Sequence, residues 1–267
     1  MAAKIYKEGD RGEAVRQIQQ ALTRAGFPVG DDGVWGPKTT EAVRAFQKSR
    51  GLAADGIAGP KTMAALEGGG DGLKVVKAPI SVHVTKWQNR KVKYIAVHYT
   101  AGSSSAAGMA MATRNVFVNR RASADFVVDD REAVQVSPDI SNYYCWAVGD
   151  TRNVVSGGGS LYGLATNRNT VSIEICSCRR KGTSAVTPNH EGWYFTDKAL
   201  DNAVRLVRRL MKEYGVPKER VIRHYDVTGK PCPGIVGWND AILYDTEGKA
   251  TSTRNNSREW LAFKERI

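Results

Sequence analysis

The stretch that decides the fold of most of this 267-residue chain is His224-Tyr225-Asp226-Val227-Thr228-Gly229-Lys230-Pro231-Cys232-Pro233. It follows Val221-Ile222-Arg223, a short apolar run that predicts a β-strand. An earlier run of the same kind, Tyr94-Ile95-Ala96-Val97, ends in His98. Side chains at strand ends project over the edge of a sheet from a rigid base, which suits them to hold a ligand. Cys232 lies between two prolines, which keep its loop extended and stiff.

His98, His224 and Cys232 allow three interpretations. Two imidazoles and a thiolate form a set one ligand short of tetrahedral zinc, and an open fourth position is typical of a catalytic zinc site. Alternatively, Cys232 is a nucleophile and His224 is its base. The flanking prolines do not predict the helix N-terminus that would lower the pKa of such a thiol. In the third interpretation His224 and Cys232 only pack. The remaining histidines, His83 and His190, are interpreted as ordinary surface residues.

Around these residues the sequence predicts a mixed α/β domain with a central β-sheet flanked by helices. Short runs rich in Val and Ile predict strands at residues 94–100, 125–129, 133–137, 170–176 and 220–225. A helix is predicted from Thr196, a suitable N-cap, to Tyr214, where Gly215 ends it. Two further helices are predicted at residues 104–119 and 257–265. The Gly-rich segment between Gly149 and Asn169 is predicted to be a mobile loop at the edge of a substrate groove.

A smaller unit precedes the segment Glu67-Gly68-Gly69-Gly70-Asp71-Gly72, in which four glycines among six residues predict a flexible linker. We therefore divide the chain into residues 1–66, a linker at residues 67–80 and a larger domain at residues 81–267. The first 66 residues contain an internal repeat with a spacing of 23 residues, in which Asp32-Gly33-Val34-Trp35-Gly36-Pro37-Lys38-Thr39 recurs as Asp55-Gly56-Ile57-Ala58-Gly59-Pro60-Lys61-Thr62.

Each copy of this repeat is a Gly-rich turn that places a proline near a helix start. An apolar stripe in the preceding segment, with Val15, Ile18 and Leu22, predicts another helix, and Gly26 suits the position just past its end. The sequence thus predicts a small all-α module of three helices. A generic helical bundle and a helix-turn-helix DNA-binding module are the alternatives, but none of these helices clusters Arg or Lys toward a groove.

Composition excludes several classes of protein. With 42% hydrophobic and 25% charged residues, the chain is not a disordered or low-complexity protein. The net charge of +12 predicts attraction to polyanions such as nucleic acid, anionic lipid or an anionic cell wall. The four cysteines form no CxxC pair, which argues against thioredoxin-like chemistry and ribbon-type zinc sites. Charged residues interrupt the N-terminus and no stretch approaches the ~18 apolar residues of a membrane span, so we expect synthesis in the cytoplasm without a signal peptide.

The small module resembles the type 1 peptidoglycan-binding domain. The residues that carry the resemblance are Gly9-Asp10-Arg11-Gly12, Val15-Arg16-Gln17-Ile18-Gln19, the first repeat copy, Ala42-Val43-Arg44-Ala45-Phe46-Gln47, and Gly51-Leu52 with Asp55-Gly56. This resemblance implies that residues 1–66 target the protein to a cell wall.

The larger domain, from about Lys91 to Trp238, resembles the type 2 N-acetylmuramoyl-L-alanine amidases, whose fold is shared with the peptidoglycan recognition proteins. The matching blocks are Val97-His98-Tyr99-Thr100, residues 123–129, residues 145–150, residues 169–175 and His224 through Pro233. The resemblance implies one catalytic Zn²⁺ held by His98, His224 and Cys232, and catalytic roles for Glu174 and Lys230. It also implies substrate contacts, which we place at Tyr99, Thr100, Asp125 and Trp146.

The implied roles of Glu174 and Lys230 have a physical basis. Glu174 interrupts an apolar strand, and alternation places it on the face opposite the isoleucines. A partly desolvated carboxylate there has a raised pKa, which suits it to take a proton from water and pass it to a leaving amine. Lys230 lies two residues before Cys232 and would place a positive charge near an oxyanion. The alternatives, a salt-bridged strand glutamate and a solvated loop lysine, remain open.

The sequence departs from the family pattern at three positions. Asp125 stands where many members have a histidine, Ala124 where some phage members have a tyrosine, and Ala147 where a histidine often follows the tryptophan. Any substrate contact of those groups is therefore in doubt. We expect the other cysteines, Cys145, Cys176 and Cys178, to be buried thiols.

The sequence therefore predicts a two-domain zinc amidase that cleaves the bond between the lactyl group of N-acetylmuramic acid and L-alanine of the stem peptide. Its expected partner is bacterial peptidoglycan, with no nucleic acid bound and no membrane insertion, and its lack of a signal peptide resembles a phage endolysin released at lysis. A recognition protein that binds muropeptides without cleaving them is the main alternative, and a basic nucleic-acid binder is another.

Overall fold

The computed structural model describes residues 5–69, 72–101, 109–149, 158–183, 187–245 and 247–267. The chain divides into two compact units, residues 1–72 and residues 73–267. Within the described ranges, no helix combines the length and the hydropathy that a bilayer span requires.

The first unit is the predicted three-helix module. Its helices are α1 (Glu13–Arg24), α2 (Pro37–Ser49) and α3 (Pro60–Gly69). Their apolar faces meet in one core formed by Val15, Ile18, Leu22, Trp35, Val43, Phe46, Ala58 and Leu66. Gly26 follows α1 with a φ of 89°, a left-handed conformation that favours glycine, so the predicted helix end is confirmed.

Buried glutamines explain the internal repeat. The side-chain nitrogen of Gln19 donates to Asp32 Oδ1 at 3.0 Å and to Thr39 Oγ1 at 3.1 Å, and its oxygen accepts from the Gly33 N–H at 2.8 Å. Gln47 makes the same set of bonds to the second copy of the repeat. Each Asp-Gly turn is therefore held by a glutamine of the preceding helix, a contact that the sequence analysis missed.

The predicted linker at residues 67–80 is wrong at both ends. Helix α3 continues through Gly69, and Val75–Lys77 forms strand β1, which pairs with residues 133–135. Leu73 and Ile80 are buried in the core of the second unit. The residues of β1 look like a linker by themselves, because their partner strand lies more than 50 residues further along the chain. Pairing with that strand satisfies the backbone N–H and C=O groups of β1.

The second unit is built on a mixed six-stranded sheet. In spatial order its strands are β1, β5 (Ala133–Gln135), β4 (Phe126–Val128), β7 (Thr170–Ile175), β3 (Tyr94–Tyr99) and β10 (Val221–Arg223). All neighbours are parallel except β4 and β5, which are antiparallel. Three small antiparallel pairs complete the strands: β2 (Val84–Lys86) with β6 (Tyr143–Cys145), β8 (Cys178–Arg179) with β9 (Trp193–Tyr194), and β11 (Ile242–Tyr244) with β12 (Ala250–Arg254).

The described part of the second unit contains four α-helices: α4 (Met109–Asn119), α5 (Asp197–Tyr214), α6 (His224–Thr228) and α7 (Arg258–Glu265). The predicted limits of α5 are confirmed, because Thr196 Oγ1 accepts from the Ala199 N–H and Gly215 has a φ of 64°. The helix predicted at 257–265 is also confirmed, as α7. The helix predicted at 104–119 is confirmed from Met109 onward, while residues 102–108 lie outside the described ranges, as do residues 150–157 of the predicted loop.

The two faces of the sheet differ in what covers them. Alternating residues such as Ile95 and Ile173 point into the main core, which includes the apolar stripe of α5. The opposite face carries Ala96 and Ile222, which pack in a smaller cluster with Val148, Ala165 and Val227. His98 and Glu174 belong to this second face, at the carboxyl ends of β3 and β7.

Candidate metal centre

Three side chains predicted as metal ligands converge at the edge of the second face. His98 lies near the end of β3, His224 is the first residue of α6, and Cys232 follows in the loop after that helix. One ligand atom of each lies within 4.8 Å of the others, and all three residues are buried. The predicted strand at 220–225 ends early, at Arg223, and the turn into α6 carries His224 toward the other two.

The spacing of these atoms fits a single zinc ion. A nitrogen ligand at about 2.0 Å and a sulfur ligand at about 2.3 Å, separated by a tetrahedral angle, would be roughly 3.6 Å apart. His98 Nδ1 and Cys232 Sγ are 3.7 Å apart. The rings of His98 and His224 have centroids 4.7 Å apart. The His98 Nε2 atom, by contrast, is buried with no hydrogen-bond partner among the described residues.

Burial sets the protonation of these groups. It lowers the pKa of His98 well below its usual value, and the charges of His224 and Lys230 act in the same direction. Burial and the Lys230 charge together lower the pKa of His224 to about 4. Both imidazoles are therefore neutral at pH 7 and keep a lone pair for a metal. Burial raises the pKa of Cys232 to about 12, and the carboxylate of Glu174 contributes in the same direction. The thiol is protonated until a cation takes the place of its proton.

Backbone groups hold the ligands in place. The Val148 carbonyl accepts a hydrogen bond from the His224 ring, and this bond opposes the lowering of its pKa. The Tyr99 N–H donates to the Cys232 sulfur, which favours the thiolate. The Cys232 carbonyl accepts from the Tyr225 N–H at 2.9 Å. Such partners orient metal ligands and select the nitrogen that remains available.

A cluster of three buried asparagines, Asn189, Asn239 and Asn255, fixes the loop after Cys232. Asn239 Nδ2 donates to the Pro233 carbonyl at 2.7 Å, and Asn255 Nδ2 donates to the Ile235 carbonyl at 3.0 Å. The backbone N–H of Asn189 donates to the Gly234 carbonyl at 2.7 Å.

The side chains of Asn189 and Asn239 also bind one another, at 2.8 and 2.6 Å. The sequence analysis missed this asparagine cluster, because its members are separated by as many as 66 residues and no motif links them.

Glu174 lies directly beside His98, its register partner on the neighbouring strand. Its Oε2 atom is buried with no hydrogen-bond partner, and it forms no ion pair among the described residues. Burial raises its pKa to about 8, while the charges of Lys230 and Arg120 act in the opposite direction. A carboxyl group that titrates near neutral pH is suited to accept and return a proton. The described residues thus include no ion-pair partner for Glu174, as the alternative of a salt-bridged strand glutamate would require.

Lys230 has an exposed side chain next to the three ligands. Its positive charge influences the pKa values of His98, His224, Glu174 and Cys232. The ammonium group is therefore close enough to act electrostatically on a substrate bound over these residues.

Among the residues predicted to contact substrate, Asp125 is placed elsewhere. It is fully buried and pairs with Arg90, whose Nη1 lies 2.9 Å from Asp125 Oδ1. Its second oxygen accepts from the Ser172 N–H at 2.9 Å. The prediction of a substrate contact is wrong, because both oxygens of this carboxylate are used inside the core.

The other three residues of that set lie in different surroundings. The Tyr99 ring packs edge-on against Trp193, with centroids 6.2 Å apart, and burial raises the pKa of its hydroxyl. Thr100 Oγ1 accepts from the Ser177 N–H at 3.2 Å. Trp146 is partly exposed at the end of β6. A substrate contact stays a prediction for all three.

The predicted exposure of the remaining histidines and cysteines is confirmed only in part. His190 is completely buried, so its interpretation as a surface residue is wrong; its Nδ1 accepts from the Gly192 N–H at 2.8 Å. Cys145, Cys176 and Cys178 are buried, as predicted.

A cysteine-nucleophile site does not fit the observed geometry. Burial raises the pKa of the Cys232 thiol instead of lowering it, and the nearby helix α6 begins at His224, eight residues before the thiol. A nucleophilic cysteine needs a lowered pKa. The third interpretation, simple packing, leaves unexplained why three ligand atoms converge beside a carboxyl oxygen, Glu174 Oε2, that is buried without a hydrogen-bond partner among the described residues.

An α/β domain that gathers two neutral imidazoles, a thiol and a buried carboxyl group has the side-chain set of a metal-dependent hydrolase. The profile of the N-acetylmuramoyl-L-alanine amidase family matches residues 88–235, more than half of the chain. The chain belongs to this family. A second profile, that of a putative peptidoglycan binding domain, matches residues 11–66.

Curated relatives of this chain carry the name of the same family. N-acetylmuramoyl-L-alanine amidase CwlA of Bacillus subtilis is 53% identical over 164 residues, which cover 60% of this chain and 51% of the relative. CwlH of the same organism is 34% identical over 166 residues, which cover 60% of this chain and 56% of the relative. The chain thus spans about half the length of these curated relatives. The solved structure of the catalytic domain of XlyA is 25% identical with a TM-score of 0.48, covering 73% of this chain and 99% of that one.

Proposed function

We propose that residues 73–267 hydrolyse the amide bond between the lactyl group of N-acetylmuramic acid and L-alanine of the peptidoglycan stem peptide, with one Zn²⁺ held by His98, His224 and Cys232. The observation that carries this proposal is the convergence of the three ligand atoms within 4.8 Å, beside Glu174, whose buried Oε2 atom has no hydrogen-bond partner among the described residues. Membership of the amidase family supports the choice of bond. Zn²⁺ at this site would acidify a water molecule and polarise the amide carbonyl.

The protein groups have separate tasks in this reaction. Glu174 Oε2 has no competing partner, and its pKa of about 8 lets it accept a proton from the attacking water and deliver it to the leaving α-amino group of L-alanine. The exposed ammonium group of Lys230 stabilises the negative charge that develops on the carbonyl oxygen. The neutral imidazoles remain ligands throughout, because burial keeps their pKa values low.

We further propose that residues 1–66 bind bacterial peptidoglycan and hold the enzyme on its polymeric substrate, as the matching profile supports. The net charge of +12 favours approach to an anionic wall. The setting we propose is the bacterial cell wall, reached during phage lysis, without membrane insertion or nucleic-acid binding. A recognition protein without activity usually lacks the third zinc ligand, and the presence of Cys232 argues against that function.

Metal analysis paired with mass spectrometry of digested wall tests this proposal. Wild-type protein should contain about one zinc per chain and should release stem peptides with free L-alanine amino groups. His98→Ala should lose the zinc and the activity together while it still sediments with purified wall. Glu174→Gln should keep the zinc and lose roughly 10²–10⁴-fold in rate, the usual contribution of a general base. Undiminished turnover by metal-free protein would refute the proposal.

A further inference from the structure

The small β2–β6 sheet presents aromatic side chains on one face. Thr85 pairs with Tyr144, so antiparallel register places Trp87 near Tyr144 and His83 opposite Trp146. The side chains of Trp87 and Trp146 are 41% and 36% exposed, values that are unusual for indoles. Trp87 and Tyr144 pack edge to face with centroids 6.3 Å apart. We call the surface formed by Trp87, Tyr144 and Trp146 the aromatic face.

The rings of the aromatic face are held in position by the protein itself. Trp146 Nε1 donates to Thr85 Oγ1 at 2.9 Å, and the Trp146 ring packs against His83 with centroids 5.6 Å apart. The guanidinium of Arg168 lies 4.4 Å from the centroid of Trp87. A ligand that binds here would immobilise few side chains, which lowers the entropic cost of binding. Since the indole N–H of Trp146 is already satisfied, its ring surface is what remains for a ligand.

A short backbone segment connects the aromatic face to the metal centre. Only Ala147 separates Trp146 from Val148, whose carbonyl accepts a hydrogen bond from the His224 ring. Two residues span at most about 7 Å of chain. Both connecting N–H groups donate to Asn167 Oδ1, at 3.0 and 2.9 Å, so this connection is fixed. The backbone of Trp146 therefore lies within about 7 Å of the residue whose carbonyl binds the His224 ring, which is the observation that links the aromatic face to a substrate at the metal centre.

We propose that the aromatic face is a subsite for the glycan strand and binds an N-acetylated amino sugar of the substrate. This inference rests on the proposed function, in which the scissile carbonyl belongs to a lactyl group attached to such a sugar. A pyranose ring has one face of C–H groups that packs against aromatic rings, and hydroxyl groups at its edge that can accept from the Arg168 guanidinium. The stem peptide has no pyranose ring; its carboxylates could pair with the Arg168 guanidinium but not with the three aromatic rings.

Two soluble substrates with the same stem peptide test this inference: one carries a disaccharide of N-acetylglucosamine and N-acetylmuramic acid, and the other carries only the lactyl group. The measured quantity is the ratio of kcat/KM for the first substrate to kcat/KM for the second. Trp87→Ala should lower this ratio about five- to tenfold, mainly through KM for the sugar-bearing substrate. The matched control is Leu261→Ala, which removes a 62% exposed side chain on α7 and should leave the ratio unchanged.

A pair of milder variants separates ring stacking from general packing and covers the case in which Trp87→Ala does not fold. Trp87→Phe should keep most of the ratio, whereas Trp87→Leu, which is apolar but not aromatic, should lose it. An unchanged ratio in Trp87→Leu overturns the inference, as does an equal loss of kcat/KM on both substrates. If the wild-type protein cleaves neither substrate, the proposed function itself fails, and that outcome is distinct from a change in the ratio.

Discussion

Arg90 and Asp125 form an ion pair inside the second unit, with side chains that are 0% and 1% exposed. The pair is bidentate, with nitrogen–oxygen distances of 2.9 and 3.4 Å. The guanidinium also donates to backbone carbonyls, including those of Tyr143 at 2.8 Å and Asn167 at 3.2 Å. Asp125→Asn keeps the size of the side chain but removes its charge, so the guanidinium would remain buried without a counterion.

Breaking one side of a buried pair destabilises proteins by about 3–5 kcal/mol, because the remaining charge is left uncompensated. The carbonyls around Arg90 compensate part of its charge, so we expect a value near the lower limit, about 3 kcal/mol. For a unit of this size, each kcal/mol shifts Tm by about 2–4 °C, which predicts a decrease of roughly 6–12 °C.

Urea and thermal unfolding followed by tryptophan fluorescence measure this effect, since every tryptophan except Trp35 lies in residues 73–267. The chain supplies a matched control in Asp201, which pairs with Arg266 while their side chains are 48% and 42% exposed. Asp201→Asn should change the free energy of unfolding by less than about 1 kcal/mol, as is usual for surface pairs.

The reasoning fails if Asp125→Asn is as stable as Asp201→Asn. It fails in another way if Asp125→Asn keeps its stability but raises KM, because Asp125 would then contact substrate as the sequence first suggested. A variant that is less stable but binds zinc normally below its Tm would confirm that Asp125 acts through the core.

Two further predictions concern the metal centre. Because the pKa of Cys232 is raised to about 12, zinc binding at pH 7 should release at least one proton, and the apparent affinity for zinc should rise with pH. Calorimetry in buffers of different ionisation enthalpy counts the released protons. If no proton is released, the thiol is not protonated in the metal-free protein. Asn239→Ala removes the donor to the Pro233 carbonyl and should destabilise the protein by about 1–3 kcal/mol. It should also weaken zinc binding in a competition assay with a chelator. Asn256→Ala, which removes only an exposed hydrogen bond to the Arg258 N–H, should change stability by less than about 1 kcal/mol and leave zinc binding unchanged.

Local features of the chain could be predicted from the sequence alone. Helix α5 was predicted within a residue at each end, because its N-cap, its apolar stripe and its terminal glycine are all adjacent in sequence. The three candidate metal ligands could be named for a similar reason, and the structure brings them together. His224 and Cys232 share one short segment, and His98 near the end of a strand follows from local hydrophobicity.

Tertiary structure decided the features that depend on distant partners. Strand β1 was taken for linker because its pairing with β5 is not visible in its own residues. Asp125 was predicted at the site, yet the position of Arg90 draws it into the core. The aromatic face and the asparagine cluster likewise combine segments far apart in the chain. The sequence by itself determined which residues could bind a metal. Burial and long-range pairing determined which polar groups remain available to a substrate, because buried polar groups in a folded protein are nearly always hydrogen-bonded within it.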